Sequence, residues 1–156
     1  MQSIETENVG DLLGLLEILE DVGKSVDIAT LDDSLDEERT TLMNLLNDGK
    51  SLGFLEIERG DVRLTPLGRE FLKSDVNQKK EVLKKQLVKV EPFVSLISLF
   101  KKKENREINR DDIYDFIREN FPSDNDESTF RMITNWGRYT RLIDYDVDTD
   151  EMYLKE

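Results

Sequence analysis

Residues 54–64 restrict the fold more than any other part of the sequence. Apolar and polar side chains alternate on both sides of Arg59-Gly60-Asp61, which is a turn sequence. Alternation that flanks a glycine-containing turn predicts a β-hairpin. Thr65-Pro66 follows at once, and the two residues suit the N-cap and first position of a helix. The chain therefore has to place a small hairpin among helices.

The rest of the chain shows helical spacing of apolar residues, and the pattern occurs twice. In the first half, this spacing predicts helices over residues 9–22, 27–35 and 37–50, then the hairpin, then a helix from Pro66. In the second half, it predicts helices over residues 78–90, 93–100, 110–121 and 127–142, then a hairpin over 143–154. We predict a mainly α fold with small β-hairpins (α+β), built as tandem winged helix-turn-helix units over residues 1–75 and 76–156.

Two features point to close packing beyond a single small unit. Phe93–Phe100 is apolar nearly all round, as in a fully buried helix, and exceeds what one small unit can cover, so we expect it to be shared between the halves or with a partner. Gly137 interrupts the last predicted helix at a cost of about 1 kcal/mol relative to Ala. Close approach of another backbone would explain that glycine.

The chain contains no His and no Cys among its 156 residues. Thiol chemistry, disulfides and the usual zinc sites are therefore excluded, and the commonest acid/base group near neutral pH is missing. The run Asp144–Asp150 resembles the start of a calcium loop, but Thr149 and Lys155 stand where that loop requires Gly and Glu. We predict no catalytic, metal-binding or cofactor-binding residues and expect that the protein is not an enzyme.

Charge is distributed unevenly along the chain. The formal net charge is −13, yet residues 76–106 contain nine basic and three acidic residues. This segment could bind phosphates or anionic lipid headgroups, or it could be a solvated helix face. Its candidate basic belt comprises Lys79, Lys80, Lys84, Lys85, Lys101, Lys102 and Lys103.

The helix over residues 127–142 offers a second candidate surface. Arg131, Asn135 and Arg138 share one helix face, with Arg141 nearby, and such side chains can read bases and phosphates. Trp136 and Tyr139 could stack on bases or pack in a core or interface, while the arginines could instead pair with the abundant Asp. The corresponding helix of the first half carries Glu37, Glu38 and Asp48, which would oppose phosphates, so DNA reading by that half is disfavoured.

The last segment resembles a known family. Asn135-Trp-Gly-Arg-Tyr139, followed by Leu142-Ile-Asp-Tyr-Asp146 and Glu151-Met-Tyr-Leu154, is similar to the AAA-associated C-terminal domain. That domain is appended to ATP-binding subunits of nitrate, sulfonate, taurine and bicarbonate ABC transporters. Gly60–Pro66 and Gly68-Arg69 fit the same family, and the resemblance spans about residues 9–154. No ATPase precedes the domain here, so we expect a stand-alone homologue or an excised domain.

This resemblance implies a non-enzymatic regulatory or interaction module that acts with an ABC-type ATPase in the import of small oxyanions. The alternative is a winged-helix transcription regulator that binds DNA through its second unit. An anionic membrane surface and a second copy of the chain remain further candidate partners. Since the N-terminal sequence lacks a signal-peptide pattern and no apolar run approaches 18 residues, we expect a cytoplasmic protein, with a peripheral position at the inner membrane face left open.

Overall fold

The computed structural model describes residues 3–34 and 39–155. Its helices are α1 Val9–Val22, α2 Ile28–Ser34, α3 Arg39–Ser51, α4 Pro66–Lys73, α5 Val76–Leu87, α6 Phe93–Lys102, α7 Arg110–Asn120 and α8 Asp126–Tyr139. Its strands are β1 Val26–Asp27, β2 Leu55–Glu58, β3 Asp61–Leu64, β4 Glu107–Asn109, β5 Ile143–Asp146 and β6 Glu151–Leu154, with a 3₁₀ turn over Glu104–Arg106.

The predicted mainly α fold with small β-hairpins is confirmed. Both hairpins form, and each belongs to a three-stranded antiparallel sheet, with strand orders β1-β3-β2 and β4-β6-β5. The outer strands β1 and β4 were not predicted. They contain only two and three residues, which is too short for an alternating pattern to be recognised.

Side-chain hydrogen bonds cap the starts of α4, α5, α7 and α8. The Thr65 hydroxyl accepts a bond from the Gly68 N–H at 3.0 Å and caps α4, as predicted. Asn109 caps α7 by accepting from the Asp112 N–H at 2.9 Å. Between α2 and α3, Ser34 and Glu37 match the sequence pattern of a capping box, but residues 35–38 lie outside the described part.

The two halves repeat the same local geometry where a helix meets a hairpin. The Phe54 N–H donates to the Gly49 carbonyl at 2.9 Å, and the Leu142 N–H donates to the Gly137 carbonyl at the same distance. β2 begins at Leu55 and β5 at Ile143, a separation of 88 residues. The repeat is therefore longer than the 75 residues of the predicted first unit. The division into residues 1–75 and 76–156 stays a prediction.

One continuous cluster of buried side chains extends through both halves. Helix α6 contributes Phe93, Leu96 and Phe100, which are fully covered. The expectation of a helix buried on all sides was wrong, because Val94 and Ile97 are only half-buried. Helix α6 packs through one face and leaves the other at the surface.

Gly137 lies where α8 packs on β5. A Cβ atom at Gly137 would be only 2.8 Å from the Cβ of Ile143, so a side chain rather than another backbone requires the glycine. In contrast, a Cβ atom at Gly14 in α1 would have no atom within 4 Å outside its own helix.

Replacing Gly137 with Ala is expected to lower the free energy of unfolding by about 1–2 kcal/mol, because overpacking outweighs the better helix propensity of Ala. The matched change Gly14→Ala should leave stability unchanged or raise it by up to about 1 kcal/mol. Urea denaturation followed by circular dichroism measures both. Equal effects of the two changes would contradict the close approach to Ile143.

Candidate functional site

The candidate face on α8 lies against the N-terminal segment of the same chain. Residues 3–8, here called the N-terminal strap, run past α8 before α1 begins at Val9. Arg131 forms an ion pair with the Glu7 carboxylate. The Asn135 side-chain amide donates to the Glu7 carbonyl at 3.1 Å and to the Asn8 side-chain oxygen at 3.3 Å. The polar groups of this part of the face are therefore engaged within the chain.

The other two arginines contact different parts of the second half. Arg138 pairs with Asp144 on β5, with 3.2 Å between Nε and the carboxylate oxygen. Arg141 follows α8, and its guanidinium is 3.5 Å from the side-chain oxygen of Asn77. The structure thus separates Arg138 and Arg141 from the strap contacts of α8. A role for any of these side chains in partner binding stays a prediction.

Trp136 anchors the strap from inside the protein. Its side chain is 0% exposed, and its indole N–H donates to the Thr6 carbonyl at 2.7 Å. Tyr139, the second aromatic residue of the motif, is half-buried, and this burial raises the pKa of its hydroxyl. The Lys80 ammonium lies 5.4 Å from the centre of the Tyr139 ring. Trp136 in this position has no face available to a nucleic-acid base.

Asp48 on α3 holds the strap from the opposite side, and sequence analysis missed this role. The Glu5 N–H donates to one oxygen of the Asp48 carboxylate at 3.0 Å. The Thr6 N–H donates to the other oxygen at 2.6 Å. The Asp48 side chain is fully buried, so the expectation that it faces outward was wrong. Asp48 follows the apolar Leu45 by three residues and so shares its helix face, which was the signal available in the sequence. Glu37 and Glu38 lie outside the described residues.

Burial raises the pKa of Asp48 from 3.8 to about 6. Its hydrogen bonds with the strap backbone act in the opposite direction, since they stabilise the carboxylate, but desolvation is the larger effect. The nearby Glu5 carboxylate adds a smaller upward contribution. A fully buried carboxylate that binds main-chain N–H groups is suited to hold a segment in place.

Asp48 and Trp136 occupy equivalent positions in the repeat. They are 88 residues apart, the same separation as between Leu55 and Ile143, and both bind the main chain at Thr6. The strap also bonds to the connection between α5 and α6, where the Ile4 N–H donates to the Glu91 carbonyl at 2.9 Å. One short segment therefore ties α3 to α8 across the two halves.

The candidate basic belt is divided by α6. Lys102 and Lys103 line a groove whose other wall carries acidic side chains of α7, namely Asp112, Asp115 and Glu119. Lys84 and Lys101 line a different groove, together with Lys155 after β6. These four lysines of the candidate basic belt thus face two chemically different surroundings.

The second of these grooves, here called the lysine-rimmed groove, has a volume of about 540 Å³. Its lining residues are Val88, Val94, Ile97, Leu142 and Leu154, with the three lysines Lys84, Lys101 and Lys155. No carboxylate of the described residues lines it. It combines an apolar floor with a positively charged edge.

A family model described as C-terminal AAA-associated domain matches residues 29–146, about three quarters of the chain. The chain belongs to this family. The resemblance drawn from the sequence is thereby confirmed. No curated protein and no solved structure matches this chain. Among its described residues, no helix is long and apolar enough to cross a membrane, and no group of three or more acidic side chains is arranged to hold a metal ion.

The residues that carried the family resemblance have structural tasks in this AAA-associated domain. Within Asn135–Tyr139, the side chains of Asn135 and Trp136 donate hydrogen bonds to the strap. Gly137 leaves room for the Ile143 side chain, and Arg138 forms an ion pair with Asp144. The Tyr153 hydroxyl donates to that same Asp144 at 3.3 Å. The motif therefore fixes α8 against the second sheet and the strap.

Proposed function

We propose that this AAA-associated domain is a non-enzymatic regulatory module that docks on the ATP-binding subunit of an ABC-type importer for small oxyanions. Membership of a family named for its association with AAA ATPases is the observation that carries the proposal. Both halves would act as winged-helix units that present protein-binding surfaces. The domain would work in the cytoplasm, at the inner face of the membrane that holds the importer.

The geometry of α8 disfavours the alternative of a DNA-binding regulator. Reading DNA requires side chains that reach base edges and phosphates. Arg131 and Asn135 are engaged with the strap, and Trp136 is buried. The net charge of −13 adds a long-range repulsion from phosphate. These contacts support a protein partner over DNA.

The buried acidic group also supports a role without catalysis. Asp48 has the raised pKa that often marks a catalytic acid. However, its oxygens are directed at main-chain N–H groups of the strap, and the side chain has no exposed surface. A substrate could reach it only after the strap had moved.

Co-purification tests the proposal directly. The full chain with an affinity tag should recover an ATP-binding transporter subunit from cells of its source organism, and adding the purified chain should change the ATPase rate of that subunit. Recovery of RNA polymerase or DNA fragments without an ATPase would contradict it. Recovery of a second, untagged copy alone would indicate a homodimer instead.

DNA binding is tested by fluorescence anisotropy with genomic fragments at about 50 mM and 200 mM salt. We expect no binding by the full chain or by Glu7→Gln, which removes the ion pair of Arg131 with Glu7 but leaves the one with Glu127. Binding that weakens steeply with salt would favour the regulator alternative, since such a slope reports phosphate contacts. Vesicles rich in phosphatidylglycerol provide the corresponding test for a membrane surface.

A further inference from the structure

We propose that the lysine-rimmed groove receives an amphipathic, acidic segment of the ATPase partner. This inference rests on the proposed function and names the surface and the kind of segment through which docking occurs. The groove lies between the end of α5, the exposed face of α6 and the end of the second sheet.

The floor of the groove is apolar surface that the chain itself leaves uncovered. Val88 is 37% exposed, and Val94 and Ile97 on α6 are half-buried. Leu142 and Leu154 close the floor and are themselves buried. Contiguous apolar surface with a polar rim is typical of a protein-binding site. The partner segment must therefore present apolar side chains.

The rim determines the charge of that segment. Lys84, Lys101 and Lys155 border the groove, and none forms an ion pair with a described residue. In a chain with 35 acidic and 22 basic residues, a groove that no described carboxylate lines stands out from its surroundings. The neighbouring groove differs, since acidic side chains of α7 lie opposite Lys102. Charge complementarity assigns carboxylates to the partner segment.

The shape of the groove favours a peptide segment over the other anionic ligands. A small molecule gains affinity when most of its surface is buried, whereas exposed Val88 and Lys101 leave this groove open on one side. A flat bilayer could not reach Leu142, which is 4% exposed at the floor. An amphipathic helix can pack its apolar face on the floor of the groove and place its carboxylates next to the lysines of the rim.

A phage library that displays random peptides of about 12 residues, or three helical turns, tests this inference on the full chain. We expect selected peptides to combine apolar residues at helical spacing with Asp or Glu at their flanks. A synthetic peptide of the selected sequence should bind at least about tenfold more weakly to Lys84→Glu/Lys101→Glu, because like charges then face each other. The matched control Lys102→Glu/Lys103→Glu, in the neighbouring groove, should change the affinity less than about twofold. Thermal melts monitored by circular dichroism confirm that both variants fold.

Several outcomes would overturn the inference. The selected peptides could lack carboxylates, or the library could yield no binding peptide at all. The two double variants could lose the same affinity for the peptide. Finally, the chain could bind phosphatidylglycerol vesicles, with only Lys84→Glu/Lys101→Glu abolishing that binding. The inference and the proposed function fail separately. If Lys84→Glu/Lys101→Glu still recovers the ATPase as well as wild type does, the groove proposal is wrong and the proposed function stands. If wild type recovers no ATPase yet acidic peptides bind the groove, the proposed function and the ATPase as occupant are wrong, whereas the groove's preference for an amphipathic, acidic segment stands.

Discussion

Replacing Trp136 with Ala is expected to lower the free energy of unfolding by about 3–5 kcal/mol, the usual cost of removing a large buried aromatic side chain. Trp136 is among the largest fully buried side chains of the described residues. Its loss leaves a cavity between α8 and the strap and removes the hydrogen bond to the Thr6 carbonyl. Urea denaturation followed by circular dichroism measures the change.

Two further variants separate packing from hydrogen bonding. Trp136→Phe keeps most of the apolar volume but leaves the Thr6 carbonyl without its donor, so part of the loss, at least about 1 kcal/mol, should remain. Arg138→Ala on the same helix removes an exposed ion pair with Asp144 and should cost less than about 1 kcal/mol. If Trp136→Ala costs no more than Arg138→Ala, Trp136 does not anchor the strap.

Local patterns in the sequence were sufficient to predict most elements of the fold. The hairpin over residues 54–64 and the N-cap at Thr65 depend on neighbours within a few residues, and both form as predicted. The helix that contains Arg131 was also predicted, with its end displaced by three residues. Strands β1 and β4 could not be predicted, because their pairing partners lie far along the chain.

The candidate site was harder to predict because its contacts are long-range. The sequence placed Arg131 and Asn135 on one helix face, yet their partners are Glu7 and Asn8, more than 120 residues away. Nothing in the local pattern around residues 3–8 indicates a segment that binds two helices. Asp48 was grouped with the outward-facing acidic residues that would oppose phosphates, and charged residues are in general rarely fully buried. Asp48 departs from this rule because main-chain N–H groups of the strap donate hydrogen bonds to its buried carboxylate.

The same contacts change the interpretation of the family motif. Residues that could read a nucleic acid on an isolated helix are, in the folded chain, engaged with its own N-terminal segment and second sheet. Lysines that form no ion pair with a described residue lie elsewhere, at the edge of the lysine-rimmed groove. A motif search alone would therefore direct mutagenesis to α8, whereas the structure directs it to α5, α6 and Lys155.

Asp48 is expected to make the stability of this domain depend on pH. In the folded protein its pKa is raised from 3.8 to about 6, so the folded state binds the proton more tightly than the unfolded chain does. The contribution of Asp48 to the free energy of unfolding is therefore fully present below about pH 4. It declines as the pH rises towards 6 and is constant above that, with a total loss of about 2–3 kcal/mol.

Substitutions at Asp48 isolate this effect from the other carboxylates. Asp48→Ala leaves the N–H groups of Glu5 and Thr6 without an acceptor and should cost about 2–4 kcal/mol near pH 4. Asp48→Asn keeps the side-chain size and one acceptor oxygen but cannot ionise. Because wild type alone loses the Asp48 contribution, the stability deficit of either variant should shrink by about 2–3 kcal/mol between pH 4 and pH 7. Urea denaturation across this range measures the deficit, and a deficit that is independent of pH would show that Asp48 titrates normally in the folded protein.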